Sequence, residues 1–154
     1  WSTHRPAPPL DHKPPPHVLG LGETIALLLY WPMPLSWRKL LHFVGSSLKA
    51  LRAMPEEGQD VFGSALLDAQ YGDHPDGARP FGEGLPRSIM KLVESYDSDT
   101  YRAGYTVALP GAVYVLHVFK KKSSSGKATP RPDKETLLAR LRAAEAHHDR
   151  HYPS

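Results

Sequence analysis

Two regimes of apolar patterning divide the chain near residue 37. Before it, residues 1–17 (WSTHRPAPPLDHKPPPH) have no apolar period and carry a proline triplet, which predicts extended polyproline-like chain. Residues 25–31 (IALLLYW) form an apolar run of seven, far short of the roughly 20 residues of a spanning helix. Organised pattern begins only after Met33, which is expected to be the true start of the chain. We expect 1–36 to be a disordered Pro-rich extension and 37–150 to be one domain.

Within that domain, residues 40–44 (LLHFV) predict a short strand broken by Gly45. Ser46 or Ser47 can cap a helix on which Leu48, Leu51 and Met54 repeat at helical spacing. Pro55 ends it and suits the first position of the next helix, with Glu56 and Glu57 at its positive end. Val61, Phe62, Ala65, Leu66 and Ala69 make one stripe that stops near Gly72. Residues 71–88, rich in Gly, Pro and Asp, predict loop.

Three strands follow: 89–96, an Asp97-Ser98-Asp99 turn, 101–109, a two-residue Pro110-Gly111 hairpin turn, and 112–119. The last (AVYVLHVF) is nearly all apolar and reads as the central, best-buried strand. A helix over about 133–148 closes the domain, with Leu137, Leu138, Leu141 and Ala144 on its buried stripe. Pro132 disfavours helical geometry at Arg131, so Asp133 is the expected cap. The class is α+β, two helices and an antiparallel sheet with a C-terminal helix.

Composition narrows the chemistry. The chain has 154 residues and no Cys, which excludes disulfides, thiolate metal sites and thiol nucleophiles. Eight of its 16 Pro fall in the first 34 residues. Residues 1–119 hold 10 Lys/Arg against 12 Asp/Glu, and residues 120–154 hold 9 against 4, so the net charge of +3 is −2 followed by +5. A basic excess confined to one end suits an anionic partner or, equally, a solvated face.

The string TYRAGYTVALPGAVYVLHVFKKKSSSGKATP (100–130), with VGSSLKALRAMPEE (44–57) before it and LLARLRAAEAHH (137–148) after it, resembles the RelE/HigB superfamily. More narrowly it resembles the phage-derived HigB-like toxins of type II toxin–antitoxin systems. The resemblance implies a RelE-like fold, two N-terminal helices on a twisted antiparallel sheet. It implies a cytoplasmic, metal-independent endoribonuclease that cleaves mRNA on the ribosome, needs no cofactor, and is held by an antitoxin, usually of helix-turn-helix type. A non-catalytic or decayed copy that still binds its antitoxin and helps repress the operon is the alternative. Lys91 departs from the pattern, standing where the subfamily tends to carry an acidic residue.

Metal-free RNA cleavage needs a base, an acid, and positive charge where the phosphorane gains charge. Arg102 matches the superfamily's phosphate-stabilising Arg, with small Gly104 two residues on leaving it room; the structural alternative pairs it with Glu94 or Asp99. Lys121 and Lys122 match phosphate-binding and proton-transfer positions, and His117 matches a recurrent His, although a hydrogen-bonded core His is as good a reading. These four are the candidate catalytic residues. Lys120, Phe119 and Tyr105 are the candidate RNA contacts, with a solvated strand end, burial and sheet core as their respective alternatives. Alternation puts Lys121 on the face of His117 and Phe119, and Lys120 opposite. His147 and His151 are spaced to share a divalent metal, but no third ligand is evident, and no metal is expected.

Overall fold

The structure is a computed structural model that describes residues 38–122 and 128–152, the side chain of Lys122 excepted. The Pro-rich extension, the apolar run 25–31 and the Ser-Ser-Ser-Gly stretch lie outside the described residues. Eight elements are described: β1 (Leu40–Phe43), α1 (Ser47–Arg52), α2 (Glu56–Gln70), β2 (Arg79–Pro80), β3 (Met90–Tyr96), β4 (Asp99–Thr106), β5 (Ala112–Lys122) and α3 (Arg131–His151). No helix among the described residues is long and apolar enough to cross a membrane.

The strands form one sheet in the order β1-β5-β4-β3-β2. β2, β3, β4 and β5 pair antiparallel, but β1 joins β5 in parallel, Leu40 beside Ala112 and Phe43 beside Val115. The sheet is therefore mixed, which corrects the antiparallel expectation. The long stretch between β1 and β5 holds two helices and three strands, ample chain to return to the same end of the sheet. β4 occupies the middle of the order, yet β5 is the most deeply buried strand.

Both faces of β5 are covered. Leu51 of α1, Met54 just after it, and Phe62, Leu66 and Ala69 of α2 pack on one face, against Leu92, Ala103, Tyr105, Val113, Val115 and Val118. Leu137, Leu141 and Ala144 of α3 pack on the other, against Phe81, Ile89, Ala112, Tyr114, Leu116 and Phe119. Burial from two sides explains a strand with almost no polar alternation. The register slips once: Tyr105 faces Val115 and Gly104 faces His117, so Leu116 is a bulged residue. The bulge puts Leu116 and His117 on the same side as α3, and returns Val118 to the α1/α2 side.

Several local signals were overruled by tertiary contacts. Ser46 is the N-cap of α1 but makes no side-chain capping bond. Its Oγ accepts from Arg140, while the Ser47 Oγ donates to the Val115 carbonyl and ties α1 to β5. Val61 is 45% exposed and leaves the α2 stripe; Phe62, Ala65, Leu66 and Ala69 carry it. The 71–88 loop contains β2, a two-residue edge strand that tolerates Pro80 because an edge can spare a ladder donor. β4 ends at Thr106, whose Oγ1 accepts from the Ala108 N–H. Residues 107–111 therefore join β4 to β5, and Pro110-Gly111 is not a two-residue hairpin turn. α3 starts at Arg131, with Pro130 as N-cap and Pro132 in its first turn. A helix's first N–H groups have no partner within the helix, so a proline there forfeits nothing. Asp133, expected as the cap, instead binds His117.

At Gly104 a leucine of α3 packs directly on the sheet backbone. A Cβ built there would collide with Leu137 Cδ2. Its smallness admits this leucine rather than giving room to Arg102. Gly104→Ala is expected to destabilise the fold by about 1–3 kcal/mol in chemical denaturation. Leu137→Ala alone is expected to cost about 2–5 kcal/mol. The double variant should cost less than the sum, because the methyl fills part of the vacated space.

Candidate functional site

The register lays three rows across β3, β4 and β5 on the face that meets α3: Lys91–Gly104–His117, Val93–Arg102–Phe119 and Ser95–Thr100–Lys121. Arg102 and Lys121 are thus diagonal neighbours on adjacent strands, a spacing long side chains cross easily. Lys91 sits one row from Arg102 on the other flank. Glu94 and Asp99 belong to the opposite face, which removes both as sheet-face partners for Arg102. Arg102 is 8% exposed and Lys121 6%. Burial, then the nearby Arg102 charge, pushes the Lys121 pKa below the ordinary amine value, with Glu83 pulling the other way. Lys91 is lowered too, by burial and then by Arg79 and Arg102; its ammonium stands 5.2 Å from the centre of the Phe81 ring.

A carboxylate enters this cationic ground from the loop after β2. Gly82, Glu83 and Gly84 all have positive φ, at 74°, 55° and 81°. The turn aims Glu83 at the chain just before α3. The Thr129 N–H donates to Glu83 Oε1 and the Thr129 hydroxyl to Oε2, each at 2.6 Å. Arg102 Nη1 donates to the same Thr129 hydroxyl at 3.0 Å. Lys134 Nζ stands 3.9 Å from the carboxylate. Burial raises the Glu83 pKa, but the two Thr129 hydrogen bonds and the charges of Lys134 and Lys91 outweigh it and leave the group lowered.

His117 sits beside this group with both ring nitrogens engaged. Nε2 lies 2.8 Å from Asp133 Oδ1, and Nδ1 lies 3.3 Å from Arg140 Nη1. A guanidinium can only donate, so Nδ1 accepts and Nε2 carries the proton toward Asp133. Arg140 also donates to the Leu116 carbonyl at the bulge and to Ser46. Phe119 stacks on the imidazole with ring centres 4.8 Å apart. Burial lowers the His117 pKa, opposed by the hydrogen bond and charge of Asp133.

The remaining candidates fall elsewhere. Lys120 points to the α1/α2 face, where its ammonium lies 3.5 Å from Asp99 and it borders an open groove with Ala50, Ala53, Met54, Tyr101 and Val118. Tyr105 is 1% exposed in the core beneath the helices, and burial plus the Asp68 charge pushes its pKa up to about 12. That placement is the sheet-core alternative stated for it, and no ring face reaches solvent. The Lys122 side chain lies outside the described residues. The His147 and His151 rings lie tilted by 34° with centres 4.2 Å apart, and among the described residues no group of three or more His, Asp or Glu is placed to hold a metal ion. The structure therefore gathers Arg102, Lys121, His117 and Phe119 on one face and leaves out Lys120 and Tyr105. Sequence reasoning missed Glu83, Thr129 and the proximity of Lys91. The Gly-Glu-Gly spacing was the signal for Glu83, because a turn built on two glycines presents the residue between them.

A family model described as phage derived protein Gp49-like (DUF891) matches residues 49–142, which hold β2 to β5, Glu83, Arg102, His117, Lys121 and Thr129. No curated protein and no solved structure matches the chain.

The histidines set the acid side of the stability profile. His42, His117 and His147 are all lowered from the ordinary value of 6.5, each first by burial, and His42 and His147 also by neighbouring histidines. A lowered histidine binds fewer protons folded than unfolded. Stability is then full above the unfolded value and falls as the pH drops below it toward the folded value. Denaturant midpoints are expected to fall between about pH 7.5 and about pH 5, and His117→Asn should flatten that slope.

Proposed function

The chain belongs to the phage-derived Gp49-like family, in the RelE/HigB-like toxin group, and from that premise we propose that it is a type II toxin that cuts mRNA on the ribosome. The family is associated with toxin–antitoxin toxins, and this implies an antitoxin partner. We assign that partner to the helix-turn-helix type, the fold to the RelE-like arrangement, the working unit to residues 37–150, and the setting to the cytoplasm.

The observation that carries the reading is the meeting of Arg102 and Lys121 on one sheet face, from adjacent strands. In the reaction, a ribose 2′-oxygen attacks the neighbouring phosphorus and the P–O5′ bond breaks. The products are a 2′,3′-cyclic phosphate and a 5′-hydroxyl. Arg102 binds the non-bridging oxygens through paired N–H groups, where charge accumulates in the transition state. Lys121, with its pKa lowered, gives up a proton to the leaving 5′-oxygen more readily than an ordinary lysine. Lys122 adds charge at the strand end. His117, kept neutral by burial, takes the proton of the 2′-hydroxyl once its Nδ1 leaves Arg140. Phe119 holds that imidazole by stacking. No step is assigned to Lys120 or Tyr105.

The burial of Arg102 and Lys121 favours a second reading, a non-catalytic module that keeps the fold and binds the antitoxin. A cell-free translation system with added transcript separates the two. The intact chain is expected to cut the transcript and stop synthesis. Arg102→Ala and Lys121→Ala should each slow cutting by about 100-fold or more, and Lys120→Ala should leave it nearly unchanged. A chain that binds its antitoxin but leaves the transcript intact is the module.

A further inference from the structure

We propose that Glu83 is an internal counter-ion: its carboxylate occupies the ground a nucleic-acid phosphate takes, and the arriving phosphate displaces it. The inference rests on the reading of the Arg102–Lys121 face as a phosphate site, and identifies what fills that site in the free protein.

A non-glycine residue at φ 55° between two left-handed glycines is strained. A third glycine would make the turn without that strain. What glutamate adds is a carboxylate at the end of a reach, and both its oxygens are used.

Glu83 takes the Thr129 N–H and hydroxyl, and Arg102 donates to the same hydroxyl. A backbone N–H just ahead of a helix, a hydroxyl and a guanidinium are what a phosphate oxygen would also accept from. Lys134 lies at 3.9 Å, and Lys91 and Lys121 are near enough for the carboxylate charge to act on their titration. One carboxylate thus faces a group of cations whose mutual repulsion, in a buried setting, calls for an anion.

A Cβ at Gly82 or at Gly84 would meet no atom within 4 Å, so the turn lies against open space. The carboxylate is held by the two Thr129 hydrogen bonds and by Lys134 at 3.9 Å, and its release uncovers Arg102.

The test uses inorganic phosphate titrated into the full chain, followed by calorimetry and by the Thr129 amide signal in NMR. Glu83→Gln removes the charge and keeps the shape. Glu83→Gly removes the carboxylate and relieves the left-handed strain, which keeps the fold available if the first variant loses it. Both are expected to bind phosphate about fivefold or more tighter than the parent, with the Thr129 amide shifting on binding. Adding Arg102→Ala to either should abolish the gain. Unchanged or weaker binding in both variants overturns the inference, as does a gain that survives Arg102→Ala or loss of the fold in both. Tighter phosphate binding in a chain that never cuts RNA would sink the nuclease reading alone. Cutting with unaltered phosphate affinity would sink the counter-ion alone.

Discussion

The pairing of β4 with β5 decides which side chains share a surface, and every feature of the site follows from it. Its register sets Arg102 beside Phe119 and Thr100 beside Lys121, on the side that α3 covers. A slip of one residue in β5 would send Phe119 and Lys121 to the α1/α2 face, away from Arg102, and turn Val118 toward α3. The bulge at Leu116 is what lets both ends of β5 be right at once. Ala112 and Tyr114 feed the α3 core on one side of it, and His117, Phe119 and Lys121 feed the site on the other. Arg140 binds the Leu116 carbonyl, so a side chain of α3 secures the irregularity.

Charge is concentrated around that register at a cost to the fold. Arg102 and Lys121 are both buried, and burial together with the neighbouring guanidinium opposes the ionised form of Lys121. Around them the structure supplies compensation from outside the sheet: Thr129 and Glu83 for Arg102, and Asp133 for His117. All of these arrive from the loop after β2 or from the start of α3. The strands set the positions of the cations, while the loop and the helix start determine their electrostatic state.

That division explains what was legible in the amino-acid order. Period-two alternation needs no tertiary knowledge, so the shared face of His117, Phe119 and Lys121, with Lys120 opposite, could be counted from the letters. The helix pair was readable from Leu51, Met54, Phe62 and Leu66 for the same reason. Strand direction was not: LLHF carries nothing that distinguishes a parallel neighbour from an antiparallel one. Glu83 carried only the local signal of its Gly-Glu-Gly turn, and its partner could not be read from the order because Thr129 is 46 residues away. Pro132 misled because local preference against helix at Arg131 is weak beside the contacts of Leu137 and Leu141. Gly104 was read as space for a guanidinium when it is space for Leu137.

The parallel seam between β1 and β5 bears on how the chain is made. Leu40 and its partner Ala112 are far apart in the order of synthesis. On a translating ribosome, β1, α1 and α2 emerge before the strand they rest on exists. Their apolar sides must wait, uncovered, until β5 has been extruded. Such late, distant closure slows folding and lengthens the interval in which nascent chains can associate wrongly. The last strand to be made is the one that gathers the earlier pieces.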